Sequence, residues 1–223
     1  MQTGLVNDRL DDRIAGALLV ASALLTIAAL SHHPSVEARQ AGDFVKALAA
    51  VGTINGPFHT FMIVMIVALY VGLVGFSLRR GLQSVLVLAG LVAASLGVGA
   101  EVGAALIDGF FGPAFGAHLL RGNPASIAQA MPVISAAALA LQILAKFGLF
   151  SMTAAIVLWS VDLLTREPRS IILASIGCFG GAATLVATST VATSLTSHNT
   201  ALVFGIQALW YAVAGALMIR RRL

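Results

Sequence analysis

Long apolar stretches almost free of charge dominate this chain, and nothing constrains its fold more. They run over residues 14 to 33, 57 to 78, 82 to 107, 132 to 162, 170 to 195 and 200 to 219. Each reaches the roughly 20 residues that a helix needs to cross about 30 Å of hydrocarbon. A water-soluble core cannot absorb them, because at 59% hydrophobic and 10% charged residues too few polar side chains remain to cover it. The expectation is an all-α polytopic membrane protein. Residues 1 to 223 form one domain, a bundle of six transmembrane helices in the cell membrane with the lipid bilayer as its surroundings. Residues 14 to 31 exceed a signal peptide's apolar core and follow Asp8, Asp11 and Asp12, so they are read as a retained first helix.

The net charge of +4 does not point to nucleic acid, because the basic residues sit at the ends of the apolar stretches. Arg9, Arg13, Arg79, Arg80, Arg166, Arg169, Arg220, Arg221 and Arg222 fall on one side, against Arg39, Lys46 and Arg121 on the other. Nine against three places the arginine-rich side, and with it both termini, in the cytoplasm. The single cysteine, Cys178, excludes an intramolecular disulfide and a thiolate cluster within one chain.

Each cytoplasmic arginine marks the inner interface, so counting about 20 residues along each helix shows what stands some 30 Å away. The count from Arg13 reaches His33, back from Arg79 it reaches His59, and from Arg80 it reaches Glu101. Back from Arg166 it reaches Lys146, and back from Arg220 it reaches Thr200, beside His198. All five histidines (His32, His33, His59, His118 and His198) fall at the outer ends of helices or in outer loops. Asp108 lies seven residues beyond Glu101 on the same helical face, above Gly97, Ala94 and Gly90. Ser135, Gln142, Lys146, Thr153 and Ser160 form a second polar stripe, and such stripes turn away from lipid.

Imidazoles from separate helices with one or two carboxylates suit zinc, copper or iron. The expected ligands are His33, His59 and His198, with Glu101 as ligand or base and Asp108 orienting a histidine or joining the set. His32 or His118 are the substitutes. Adjacent His32 and His33 point in different directions, so only one of them faces inward. An open coordination position would give the site a catalytic use, in which Glu101 and Lys146 are the candidate acid-base groups. Met62, one turn below His59, would favour copper or serve as packing. Haem held by His33 and His59 ranks lower, there being no CxxCH.

Two other classes compete. Glu101 and Lys146 could form a charge pair or proton relay in a small-molecule, ion or proton transporter, with Gln142, Thr153, Ser160 and Gln207 along the route. Alternatively, the small-residue faces (Ser95, Gly99 and Gly103; Gly177 and Gly181) and the Ser/Thr run from Thr188 to Ser197 could bind partner membrane subunits or a second copy. The bland reading of those faces is packing inside one chain. Interfacial histidines, equally, often do no more than bond headgroups or loop carbonyls. No GxSxG, P-loop or dinucleotide-binding glycine motif is present.

Overall fold

The computed structural model describes residues 3–33, 40–190 and 197–223, and among these the elements are all helices, with no strand. The elements are α1 (Thr3–Leu30), α2 (Ala41–Ala50), α3 (Gly52–Arg80), α4 (Val85–Leu106), α5 (Gly112–Leu119), α6 (Pro124–Arg166), α7 (Ile171–Ser175), α8 (Gly181–Thr190) and α9 (Ser197–Ile219). Two π-helical turns, Ile107–Phe111 and Ile176–Gly180, join α4 to α5 and α7 to α8 without a break in the helical path. Five stretches are long and apolar enough to cross a membrane: Leu10–Leu30, Gly52–Arg80, Val85–Leu119, Ala125–Arg166 and Leu202–Ile219. Ile171–Val186 is a shorter apolar helix. Large apolar side chains such as Val85, Ile172 and Phe179 are exposed on the outside of the bundle, a surface consistent with lipid contact.

The helices close into a ring. α1 packs between α3 and α9, α3 packs on α4, α4 lies along α6, and α7 and α8 pack on α6 and α9. Small residues set the closest approaches. A Cβ on Gly90 would lie 2.6 Å from Nε1 of Trp159, and one on Gly97 would lie 2.7 Å from Cγ of Met152. The tight α4–α6 seam is therefore the Gly90, Ala94 and Gly97 face. Gly99 meets nothing within 4 Å, and Ser95 instead bonds the Tyr70 hydroxyl at 2.7 Å. Gly177 and Gly181 do pack within the chain, against Ser160 with Trp210 and against Val157.

Two of the segments between the apolar stretches contain helix. Between Ser31 and Gly56 stands α2, and α3 begins at Gly52, so Pro57 lies inside the helix and not in its first turn. Pro57 withholds only the bond that the carbonyl of Thr53 would receive, and Thr53 is exposed. Between Asp108 and Ala130, Pro113 occupies the first turn of α5, while Asn123 caps α6 by accepting from the Ala125 amide at 3.0 Å, with Pro124 following as its first residue. Pro124 is compatible with its place because a first-turn N–H has no intrahelical partner, whereas Pro113 continues the helical path from the π turn and withholds a backbone donor there. α6 thus reaches 43 residues, about 65 Å at 1.5 Å per residue, and extends well past a bilayer's hydrocarbon. The segment from Thr188 to Ser197 lies largely outside the described residues.

The arginine end is held by charge. Asp162 is fully buried and accepts from Ser84 Oγ at 2.7 Å, Arg80 Nη2 at 2.8 Å and Arg166 Nη1 at 3.1 Å. Arg79 pairs with Asp12 at 3.4 Å and donates to the Leu223 backbone oxygen, tying α1, α3 and the end of the chain together. Next along the bundle comes an aromatic layer. Phe76 meets Trp159 and Trp210 edge-on at 5.6 and 5.4 Å, while the two tryptophans stack at 5.8 Å. Their indole N–H groups donate to the Val87 carbonyl and the Ser160 hydroxyl, so all three large rings are buried without an orphaned donor.

Candidate metal centre

Beyond the aromatic layer the ring of helices lines a half-open cavity of about 270 Å³. Thr26 and Leu30 of α1, with His33 just after it, Met62 and Ile66 of α3, Glu101 and Ala104 of α4, Gln142 and Leu149 of α6, and Phe204 of α9 are among its walls. His59 and Asp108 complete its polar end. These are the five elements whose outer ends carried polar residues in the depth count.

His33, His59 and Asp108 form a group in which one ligand atom from each lies within 4.8 Å of the others, and which could hold a metal ion. Both imidazoles direct Nε2 at the same carboxylate oxygen: His33 at 3.4 Å and His59 at 3.3 Å from Asp108 Oδ2. His59 is nearly enclosed, with 5% of its side chain exposed, whereas His33 and Asp108 are about one-third exposed. The rings of His33 and His59 stand edge to face at 5.3 Å, and Phe58 packs edge-on against both.

Local structure explains this convergence. The π turn Ile107–Phe111 carries Asp108 and Gly109, and π turns widen the helix and recur at functional sites. A Cβ on Gly109 would overlap the Cβ of His59, so only glycine lets α3 bring His59 against the turn. Asn55 locks the two elements: its Nδ2 donates to the Asp108 backbone oxygen at 2.7 Å, supplying a donor where the ladder changes register. The Asn55 backbone oxygen lies 3.0 Å from His59 Nδ1. A carbonyl oxygen only accepts, so His59 carries a proton on Nδ1 and presents Nε2 toward Asp108.

With Nδ1 protonated, a neutral His59 would face the carboxylate lone pair to lone pair. A cation or a bridging donor between the two groups would relieve that contact. A charge-assisted N–H···O contact closes to about 2.7–2.9 Å. Two ligands of one tetrahedral ion at bond lengths of about 2.1 Å stand about 3.4 Å apart. The observed 3.3 and 3.4 Å are longer than the first spacing and compatible with the second, as expected of a group that could hold an ion. Two imidazoles aimed at one carboxylate oxygen suit a single ion, not a porphyrin plane between them.

The remaining candidate residues fall elsewhere. His32 turns away and is exposed, its Nδ1 near Ser31 Oγ and the Ala28 oxygen. His118 is exposed on α5. The His198 backbone stands in the first turn of α9, while its side chain lies outside the described residues. Glu101 lines the same cavity but is not one of the ligand group, being seven residues, or about 10 Å of helix, deeper than Asp108. Lys146 is half-buried on α6 and does not line the cavity, and the ion pairs among the described residues do not join it to Glu101. Gln207 and Thr153 bond each other at 2.9 Å, and both also donate to the Leu149 oxygen.

Asn55 is a site residue that the sequence leaves as one of two candidate caps, with Gly56, for the second apolar helix, whereas it lies inside α3. Its signal was the four-residue step to His59, which puts a backbone oxygen beside the imidazole. Replacing Gly109 with alanine is expected to push His59 off the turn and lower zinc affinity by about tenfold to a hundredfold, with the helical content unchanged. Competition against a chelating dye, with circular dichroism, checks both. Scans of this chain against protein-family models, curated proteins and solved structures found no match.

Proposed function

We propose that the chain is a six-span membrane protein that binds one transition metal ion through His33, His59 and Asp108 and uses it on a small molecule held in the adjoining cavity. The observation that carries this reading is the shared Asp108 oxygen, 3.3 and 3.4 Å from two imidazole nitrogens of which one has its tautomer set by the Asn55 carbonyl. Two imidazoles and a carboxylate serve hydrolytic zinc and non-haem iron(II) alike, in both cases with coordination positions left open. Here the open side is the cavity, so a bound water or ligand atom would meet the metal there. Metal-assisted hydrolysis or oxidation is the reaction class.

The sixth crossing is the run from α7 through the π turn into α8. The arginine excess puts both termini in the cytoplasm and the metal end at the outer face. Transport is the weaker reading. Phe76, Trp159 and Trp210 are each no more than 1% exposed, and along their helices they stand between the cavity and the arginine end. They close the route that a permeant ion would take.

The neighbouring histidines provide the test. His33→Ala is expected to weaken zinc binding by about tenfold or more, and His32→Ala to leave it unchanged. Equal effects of the two substitutions, or none from either, would remove His33 from the ligand set.

A further inference from the structure

Glu101 calls for a partner that the metal does not supply. The residue lines the cavity yet is only 8% exposed, and its Oε1 is buried with no hydrogen-bond partner among the described residues. Helix packing keeps it there: a Cβ on Gly148 would lie 2.6 Å from Glu101 Cγ, so α6 bears directly on the stem of the side chain and leaves the carboxyl no retreat in that direction. A carboxylate among apolar walls is costly unless a cation or strong donor meets it. Among the described residues the cavity's lining contains no lysine or arginine. Thr26, Ile66 and Phe204 line both this cavity and a smaller one together with Glu101, and Met62 lines the larger. An acceptor pair, an aromatic face and short apolar walls together fit an alkylammonium group.

We infer that Glu101 anchors a second subsite, about 10 Å of helix below the metal ligands, which binds a small organic cation: a primary ammonium on a short apolar chain. The carboxylate and Thr26 accept the ammonium protons, Phe204 covers the charge, and Met62 and Ile66 pack on the chain. This assignment does not depend on the metal reading, since Glu101 is outside the ligand group. If both hold, the molecule acted on carries an amine at one end and a metal-binding carbonyl or acid at the other.

The test is calorimetric titration of the purified full chain with butylammonium chloride and, in parallel, with 1-butanol, which has the same chain and no charge. The expected result is a preference for the ammonium of about tenfold or more, lost in Glu101→Gln and kept in Glu101→Asp, with zinc binding intact in all three proteins. The Asp variant guards against a folding artefact, because it restores the carboxylate alone. Equal binding of amine and alcohol, binding of neither, or an ammonium preference that survives in Glu101→Gln would overturn the subsite. Loss of zinc binding in the unmodified chain with the ammonium preference kept would sink the metal reading and leave this one standing.

Discussion

Asp108→Ala is expected to lower zinc affinity by about a hundredfold or more, equivalent to about 2.7 kcal/mol. Three features make this the largest effect at the site. The Asp108 carboxylate is the only anionic member of the group, it is the shared neighbour of both imidazoles, and a three-ligand site loses a third of its protein donors with it. The fold should survive the change, because what Asn55 grips is the backbone oxygen of Asp108, not its side chain. Asp108→Asn keeps the shape and removes the charge, so its loss should be intermediate. A competition titration against a chelating dye gives the ranking. Unaltered zinc affinity in Asp108→Ala would contradict the assignment.

The second large effect lies at the opposite end. Asp162→Ala is expected to destabilise the protein by about 3–5 kcal/mol, the usual cost of leaving a buried charge without its counterion. Asp162 is 1% exposed and Arg80 only 9%, and Ser84 adds a third element to the same carboxylate. Removing Asp162 strands the Arg80 guanidinium between α3 and α6. Arg166→Ala should cost under about 1 kcal/mol, because that side chain is 45% exposed and its pairing is screened. Unfolding in detergent, followed through the buried Trp159 and Trp210, reports both. Equal, small losses from the two substitutions would show that the cluster holds little.

Much of this was legible because bilayer thickness acts as a ruler. Helical rise is fixed, so counting from arginines at one interface found His33, His59 and Glu101 on the other side of the bundle, and all three line one cavity. The seven-residue step from Glu101 to Asp108, and the glycines beneath them, correctly marked the face of α4 that α6 approaches. The choice between His32 and His33 was posed by helical geometry and answered by the turn that ends α1. Periodicity could not show the π turn at Ile107–Phe111, since one inserted residue changes the bonding without changing the composition. For the same reason the contact by which Gly109 admits His59 is not visible in the sequence. The length of α6 was hidden by Pro124 and Pro132, which look like breakers although the first stands where proline is tolerated. The Asp162 cluster has no signature in the sequence, because its three partners come from positions 80, 84 and 166 and only the last is a local step.

The most direct measurement is the metal content of the untagged chain purified in detergent, by elemental analysis with a visible spectrum. A mononuclear site at His33, His59 and Asp108 predicts close to one zinc or iron per chain, falling to background in His59→Ala. A protein that retains no metal, and takes up none when zinc or iron(II) is supplied, would contradict it.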